Sequence, residues 1–307
     1  MTDELEFLAD LAARLPRPPV GETWTGDDAA VLDGGLLVTT DAMVEGVHFD
    51  LAWSTPFDAG WKAVAVSVSD VAAMGGSPSA MVVALGAPPD RPGIADEVTL
   101  GLGAAAGETA TALVGGDVTE SPVLTLTTTV LGHPGARGPV LRTGATPGDR
   151  LYVTGEIGLA VSALDRLRQG ETPDERALER LLRPVPRVAE GLTAADAGAS
   201  AMIDTSDGFA LDTTRLCVAS GVGVRIATDR LPLADGLEAR RALVGGDEYE
   251  LCFTAPDPDA VVMAFERARL PLPAEVGEIT GPPERLLVDA AGETSDLPSE
   301  GWRHRLA

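Results

Sequence analysis

The 307 residues carry 47 acidic against 23 basic side chains, a net charge of −24, which removes the basic face that nucleic acid needs and disfavours anionic lipid. At 45% hydrophobic and 23% charged, the chain is apolar enough for a sizeable core, in two domains of ordinary size or one large one. Its two cysteines, Cys217 and Cys252, suit buried thiols in a reducing compartment, and no apolar run approaches membrane-spanning length, so a cytoplasmic protein is expected.

In chain order, residues 3–15 read as an amphipathic helix with Leu5, Leu8, Leu11, Ala12 and Leu15 on one face, ended by Pro16, Pro18 and Pro19. Gly26–Leu32 is an acidic turn running into a strand, and Asp33-Gly34-Gly35 is a hairpin turn. The chain re-enters a strand at Leu36–Thr40, which delivers Thr39, Thr40 and Asp41 side by side. Asp58–Met74 is helical by the spacing of Trp61, Val64, Val68 and Val71, with Gly75-Gly76 as its stop. Ala80–Leu85 reads as strand, 93–109 as helix, Ala112–Val114 as a short strand ending in Gly115-Gly116-Asp117, and Val123–Leu131 as strand.

Gly and Pro crowd 133–149, which reads as a domain connection. Beyond it come a strand at 150–154, a helix at 159–168, and two helices in 174–197 broken near Pro184 and Pro186. Ala201–Ile203 is a strand opening into Asp204-Thr205-Ser206-Asp207-Gly208. Leu211–Ser220 is a helix, Val222–Ile226 a strand, Asp247–Thr254 a strand and 258–269 a helix. Alternation of strands and helices in both halves predicts an α/β protein in α+β layers. LVGGDVTE at 113–120 and LVGGDEYE at 243–250 echo one another, either by coincidence or as related turns in two halves.

Acidic residues recur at the ends of apolar runs: Asp27-Asp28, Asp41, Asp70, Asp117, and Asp204 with Asp207. Taken singly, each is a turn or a helix cap. Taken together, they predict a carboxylate cluster that needs counter-ions, because two unit charges ~4 Å apart repel by about 4 kcal/mol at an effective dielectric near 20. Hard oxygen ligands point to Mg²⁺, and Mg²⁺ at an acidic site points to a polyphosphate substrate. Gly115-Gly116, Gly208 and Gly245-Gly246 would let backbone N–H groups approach phosphate. Arg142, just before the second half, is either a phosphate contact or a solvated linker arginine. No P-loop, protein-kinase signature or nucleophile elbow is present.

The segments GDDAAVL (26–32), TTDAMVEGVHF (39–49), KAVAVSVSDVAAMGGSP (62–78), LVGGDVTES (113–121), LRTGATPGD (141–149), IDTSDG (203–208) and GGDEYELCFT (245–254) together resemble the thiamine-monophosphate kinase family, within the aminoimidazole-ribonucleotide synthetase-like superfamily. The resemblance implies an N-terminal domain over 1–135 that binds ATP and Mg²⁺ and contributes its sheet to a barrel at a homodimer interface. A second α/β domain, over 145–307, would pack beside it and complete the site. It implies ATP-dependent phosphorylation of thiamine monophosphate to the diphosphate. Asp28, Thr39, Thr40, Asp41, Asp70, Asp117, Asp204 and Asp207 would hold several Mg²⁺ ions, with Asp41, Asp70 and Asp207 nearest the chemistry. Gly116, Asp117, Arg142 and Ser206 would meet ATP, and His48, Asp247 and Trp302 the thiamine phosphate. Asp247 stands where the family often has Glu, and Trp302 suits stacking on a heteroaromatic ring. Rival readings are another ATP-dependent enzyme of the superfamily, of the aminoimidazole-ribonucleotide or selenophosphate synthetase type, and a non-catalytic metal-binding scaffold. A selenophosphate synthetase would be expected to carry a reactive Cys near its N-terminus, and both cysteines here come late.

Overall fold

The computed structural model describes residues 4–304. The expected helix start at Asp3 and the side chains of Leu5 and Leu8 lie outside the described residues. Helix α1 (Glu4–Arg14) leaves Leu11 and Leu15 exposed on this chain.

The first sheet holds β1 (Ala30–Val31), β2 (Leu37–Val44), β3 (Gly76–Ala87), β4 (Ala112–Glu120) and β5 (Thr125–Pro134), in the order β1-β2-β5-β3-β4. Hairpin β1–β2 closes through the Asp33–Gly35 turn, as its glycines predict. Strands β3 and β4 are parallel and are joined by α3 (Ile94–Glu108); the other pairs are antiparallel. Helix α2 (Pro56–Ala73) packs on β2 and β5. It starts at Thr55, whose Oγ1 accepts from Asp58 N while Asp58 Oδ2 accepts from Thr55 N, a reciprocal cap. Helices α2 and α3 cross backbone on backbone: a Cβ at Gly101 would lie 2.0 Å from Phe57 O, and one at Gly60 2.2 Å from Val98 O.

The Gly-Gly-Asp expected to turn at the end of a short strand does not turn. Strand β4 runs straight through it, paired with β3, so Gly116 sits opposite Val83 and Asp117 opposite Ala84. A Cβ at Gly116 would lie 2.0 Å from Val83 O, which explains the glycine by ladder proximity. All of β4 is exposed, including Val114 and Val118.

The second sheet holds β6 (Arg150–Val153), β7 (Ala201–Asp204), β8 (Gly223–Ala227), β9 (Leu251–Ala255), β10 (Ala274–Thr280), β11 (Arg285–Val288) and β12 (Thr294–Asp296). Its order is β12-β11-β8-β10-β6-β9-β7, antiparallel except β8–β11. Around it lie α4 (Leu159–Arg168), α5 (Glu175–Leu182), α6 (Val188–Ala197), α7 (Phe209–Ser220), α8 (Ala239–Val244) and α9 (Pro258–Ala268). The break between α5 and α6 falls at Pro184 and Pro186, as predicted.

Strand β9 begins only at Leu251. The preceding GGDEYE is irregular, with Asp247 at φ +68° and Tyr249 at φ +52°, values no strand accommodates. The echoing LVGGD segments therefore differ in form: one is a strand, the other the end of α8 and a loop.

Helix α2 joins the halves. Its C-terminal Ala72 and Ala73 share a core with Tyr152, Ala194, Met202, Phe253 and Phe265. At its other end Arg183 Nε bonds Asp58 Oδ1 at 2.6 Å, the Arg183 guanidinium lies 4.8 Å from the Phe57 ring centre, and Trp61 Nε1 donates to Pro184 O at 3.2 Å.

Candidate active site

Strand alternation divides the TTD motif. Thr39, Asp41 and Met43 turn toward α2, whereas Thr40 is exposed on the opposite face. Thr39 Oγ1 donates to Asp70 Oδ2 at 2.5 Å. Thr40 Oγ1 instead bonds Thr128 O at 3.0 Å and Thr129 Oγ1 at 3.1 Å. Asp41 lies against Ser67 and Asp70 of α2, and its buried Oδ2 has no hydrogen-bond partner among the described residues.

Asp70, from the last turns of α2, and Asp204, at the end of β7, meet Asp28 from the first acidic turn. One carboxylate oxygen of each lies within 4.8 Å of the others. The contact crosses between the two sheets, which is why the three residues are far apart in sequence. Ser69 Oγ donates to Asp204 Oδ2 at 2.6 Å. Burial, then repulsion from Asp41, Asp204 and Asp28, pushes the Asp70 carboxyl well above the carboxylate range. Burial and Asp28 do the same to Asp204 despite Ser69, and burial raises Asp41. Burial and the Asp28 charge likewise raise neighbouring Asp27 to about 6.

Arg142 faces this cluster. Its Nη2 and Nε donate to Asp28 Oδ1 and Oδ2 at 2.7 and 3.1 Å, and its backbone N donates to Asp27. The sequence left open whether this arginine is solvated or engaged; it is engaged, by a carboxylate.

Asp41, Asp70 and Asp204 line a cleft of about 850 Å³ between the halves, with Asp28 beside them. Ser206 and Asp207 line it from the turn after β7. Asp207 is held by Arg215 Nη1 at 2.5 Å. The same arginine bonds Asp212, which caps the start of α7 by accepting from Asp207 N and Gly208 N. Burial and the Asp207 charge raise Asp212 to about 7.

The same cleft is lined by His48, Asp247 and Trp302, brought together from three distant segments. His48 Nδ1 accepts from Val44 N at 3.0 Å, which leaves its Nε2 as the N–H of a neutral ring. Burial, then the neighbouring His304, lowers its pKa. The His48 and His304 ring centres are 5.2 Å apart, and Trp302 N donates to Asp207 O at 2.9 Å, seating the C-terminal segment over the cleft.

Gly116 and Asp117 do not join this group. The ladder row Asp41–Thr128–Val83–Gly116 spans three strand intervals, about 14 Å. Asp117 projects from the face opposite to Asp41.

Two features escaped the sequence reading. Lys62 was placed in a helix but given no role; its Nζ lies 3.0 Å from Asp247 Oδ1, and its side chain is only 5% exposed. Glu250 is buried between Arg180 and Arg187, whose nitrogens approach its oxygens at 2.5 and 2.5–2.8 Å. The signal for Lys62 was available: it is the only lysine, and it falls on the α2 stripe that ends at Asp70.

Two family models cover most of the chain: AIR synthase related protein, N-terminal domain, over residues 26–133, and the corresponding C-terminal domain over 146–289. Thiamine-monophosphate kinase of Mycobacterium tuberculosis H37Rv is 36% identical over 286 residues, covering 91% of this chain and 84% of the relative. The chain belongs to the thiamine-monophosphate kinase family. The Salmonella typhimurium member is likewise 36% identical, over 302 residues and 92% of both chains. Among solved structures, AaThiL complexed with AMPPCP and TMP superimposes with a TM-score of 0.85 at 28% identity, over 99% of this chain and 97% of that one. The thiamine-monophosphate kinase of Stenotrophomonas maltophilia K279a gives 0.77 at 33% identity, over 95% and 96%. The hydrogenase maturation protein HypE, at 20% identity and TM-score 0.73, shares the fold.

Proposed function

We infer that the protein phosphorylates thiamine monophosphate with ATP, giving thiamine diphosphate and ADP. Family membership supports the reaction, and one observation carries it to these residues. Asp28, Asp70 and Asp204 converge beside Asp41, and the cleft that Asp41, Asp70 and Asp204 line also offers His48, Asp247 and Trp302.

The acidic end fits Mg²⁺. Its donors are all hard oxygens, the carboxylates repel one another, and Asp41 Oδ2 is buried without a partner. Asp28, Asp41, Asp70 and Asp204 would hold the ions, with Thr39 steadying Asp70 and Asp207 at the margin. Thr40, on the far face of β2, would join only through its backbone. Bound Mg²⁺ would offset the charge of both phosphates and of the transferred group. The chain's own task is to align two anions, because the acceptor is already an ionised phosphate oxygen that needs no strong base. Direct in-line transfer without a phosphoenzyme follows. Ser206 and Arg142 are assigned to ATP; for Arg142 this means sharing its fork with Asp28.

The proposal extends to a homodimer with the first domain, over 1–135, as its dimerisation unit and 145–307 completing the site. Among the described residues no helix covers the face of the first sheet carrying Thr40, Thr129, Val82 and Asp117, and edge strand β4 is exposed throughout. Gly116 and Asp117 would reach nucleotide across that dimer face. No helix of the described residues is long and apolar enough to cross a membrane. The buried free thiols of Cys217 and Cys252 support a cytoplasmic setting.

The test is incubation with ATP, MgCl₂ and thiamine monophosphate, with thiamine diphosphate read by chromatography. Diphosphate formation that stops on chelation is the expected result. Nucleotide binding without any diphosphate would overturn the assignment.

A further inference from the structure

Helix α2 lines the cleft with one stripe, Asp58, Lys62, Val66 and Asp70. Lys62 and Asp70 are eight residues apart, so their backbones are about 12 Å apart along the axis. Lys62 therefore meets the cleft on its own stretch of α2, about two turns before Asp70.

What Lys62 does touch is Asp247. Nζ lies 3.0 Å from Asp247 Oδ1, and the two side chains are 5% and 33% exposed. Tyr249 OH donates to the same Oδ1 at 3.1 Å. Asp247 and Tyr249 both hold positive φ, a conformation that costs free energy and persists only when its surroundings impose it. Asp247 N to Ser206 O at 2.8 Å and Tyr249 N to Thr205 O at 3.1 Å impose it from the turn after β7. With Oδ1 engaged twice, Oδ2 is the oxygen bound by neither Lys62 nor Tyr249, on a residue that lines the cleft with His48 and Trp302.

We propose that Lys62 is a positioning residue for acceptor selection: it fixes the Asp247 carboxylate so that this group receives the rings of the acceptor, accepting from the neutral pyrimidine's amine and countering the thiazolium's charge. This rests on the function inferred above and deepens it. An acceptor whose rings carry neither a donor nor a positive charge would leave that carboxylate unsatisfied, so the device selects acceptors by hydrogen bonding and charge.

The test compares Lys62→Met, Asp247→Asn and the double variant. Each single change raises KM for thiamine monophosphate about tenfold and leaves KM for ATP within about twofold. The double variant is no worse than Asp247→Asn, because both act through one carboxylate, and Lys62→Arg recovers most of the loss. Additive losses, or equal losses for both substrates, overturn the proposal. If Lys62→Met does not fold, the double variant carries the comparison, since it leaves no unpaired buried charge. Calorimetric titration with thiamine, which has no phosphate, reads the ring end without turnover. Binding weakened about tenfold in the variants is expected; equal binding by wild type and variants overturns the role of Lys62 whether or not the enzyme turns over. A wild type that binds thiamine but never phosphorylates its monophosphate counts against the function alone.

Discussion

Two buried acidic sites in this molecule respond to the same desolvation in opposite ways. At Asp70 and Asp204 burial wins: neighbouring carboxylates add repulsion, and both pKa values lie well above the ordinary range. At Glu250 burial pushes upward too, but Arg180 and Arg187 overcome it and the pKa falls. Glu250 has its counter-charges built into α5 and the segment before α6, so it holds the fold. Asp204 feels Arg142, which is itself committed to Asp28, and the charges that act most on Asp70 are those of other aspartates, so a bound cation would relieve their repulsion. Burial alone does not separate a structural acid from a functional one; the origin of the compensating charge does.

Asp70→Asn is the sharpest way to break the comparison. Turnover should fall about a thousandfold or more, roughly 4 kcal/mol of barrier, while the apo protein melts no lower than wild type because a repelling charge is gone. Mg²⁺ should raise the melting temperature of wild type and leave the variant unmoved. A variant with near-normal rates would remove Asp70 from the metal-binding end.

Glu250→Ala should do the reverse. It takes the shared carboxylate from two half-buried arginines, leaving Arg187 only Glu190 and Arg180 the Glu248 carbonyl, a loss of about 2–3 kcal/mol of stability in urea denaturation. Melting within a degree of wild type would show that Glu250 is not the structural member of the pair.

Glu248 sharpens the contrast with a smaller effect. Burial raises its pKa from 4.5 to about 8 against the opposing Arg180 charge and the N–H groups of Ala160 and Gly158. Because the folded value is the higher one, its contribution to stability is complete below about pH 4.5 and is lost as pH rises through about 8. Glu248→Gln should match wild type at low pH and melt about 2–4 °C higher above pH 8. A gap that does not change with pH would place the ionised form in the fold.

Much of this was legible because the decisive signals are local. Trp61, Val64, Val68 and Val71 announced α2, and the apolar run ending in TTD announced β2. The convergence of Asp28, Asp70 and Asp204 was legible only as a need for counter-ions; the meeting itself depends on how two sheets pack across α2. Alternation within β2, which turns Thr40 away from Asp41, is a rule the sequence reading had at hand and did not apply. The Gly-Gly-Asp of β4 was misread because glycine marks both turns and close ladders, and only pairing with β3 decides between them. Asp247–Glu250 reads as strand on composition, since nothing in its side chains reveals positive φ at Asp247 and Tyr249. Strand β10 went unseen because its pairing with β6 shifts register between Glu275 and Gly277, blurring the alternation.

Because Asp58, Lys62, Val66 and Asp70 ride one uninterrupted helix, the distance between the chemistry and the ring pocket is graduated in turns of α2. Neither end can drift from the other while that rod stays intact. Evolution toward a longer or shorter acceptor would have to relocate residues by whole helical steps, or recruit the tail around Trp302, whose placement is not tied to the same ruler.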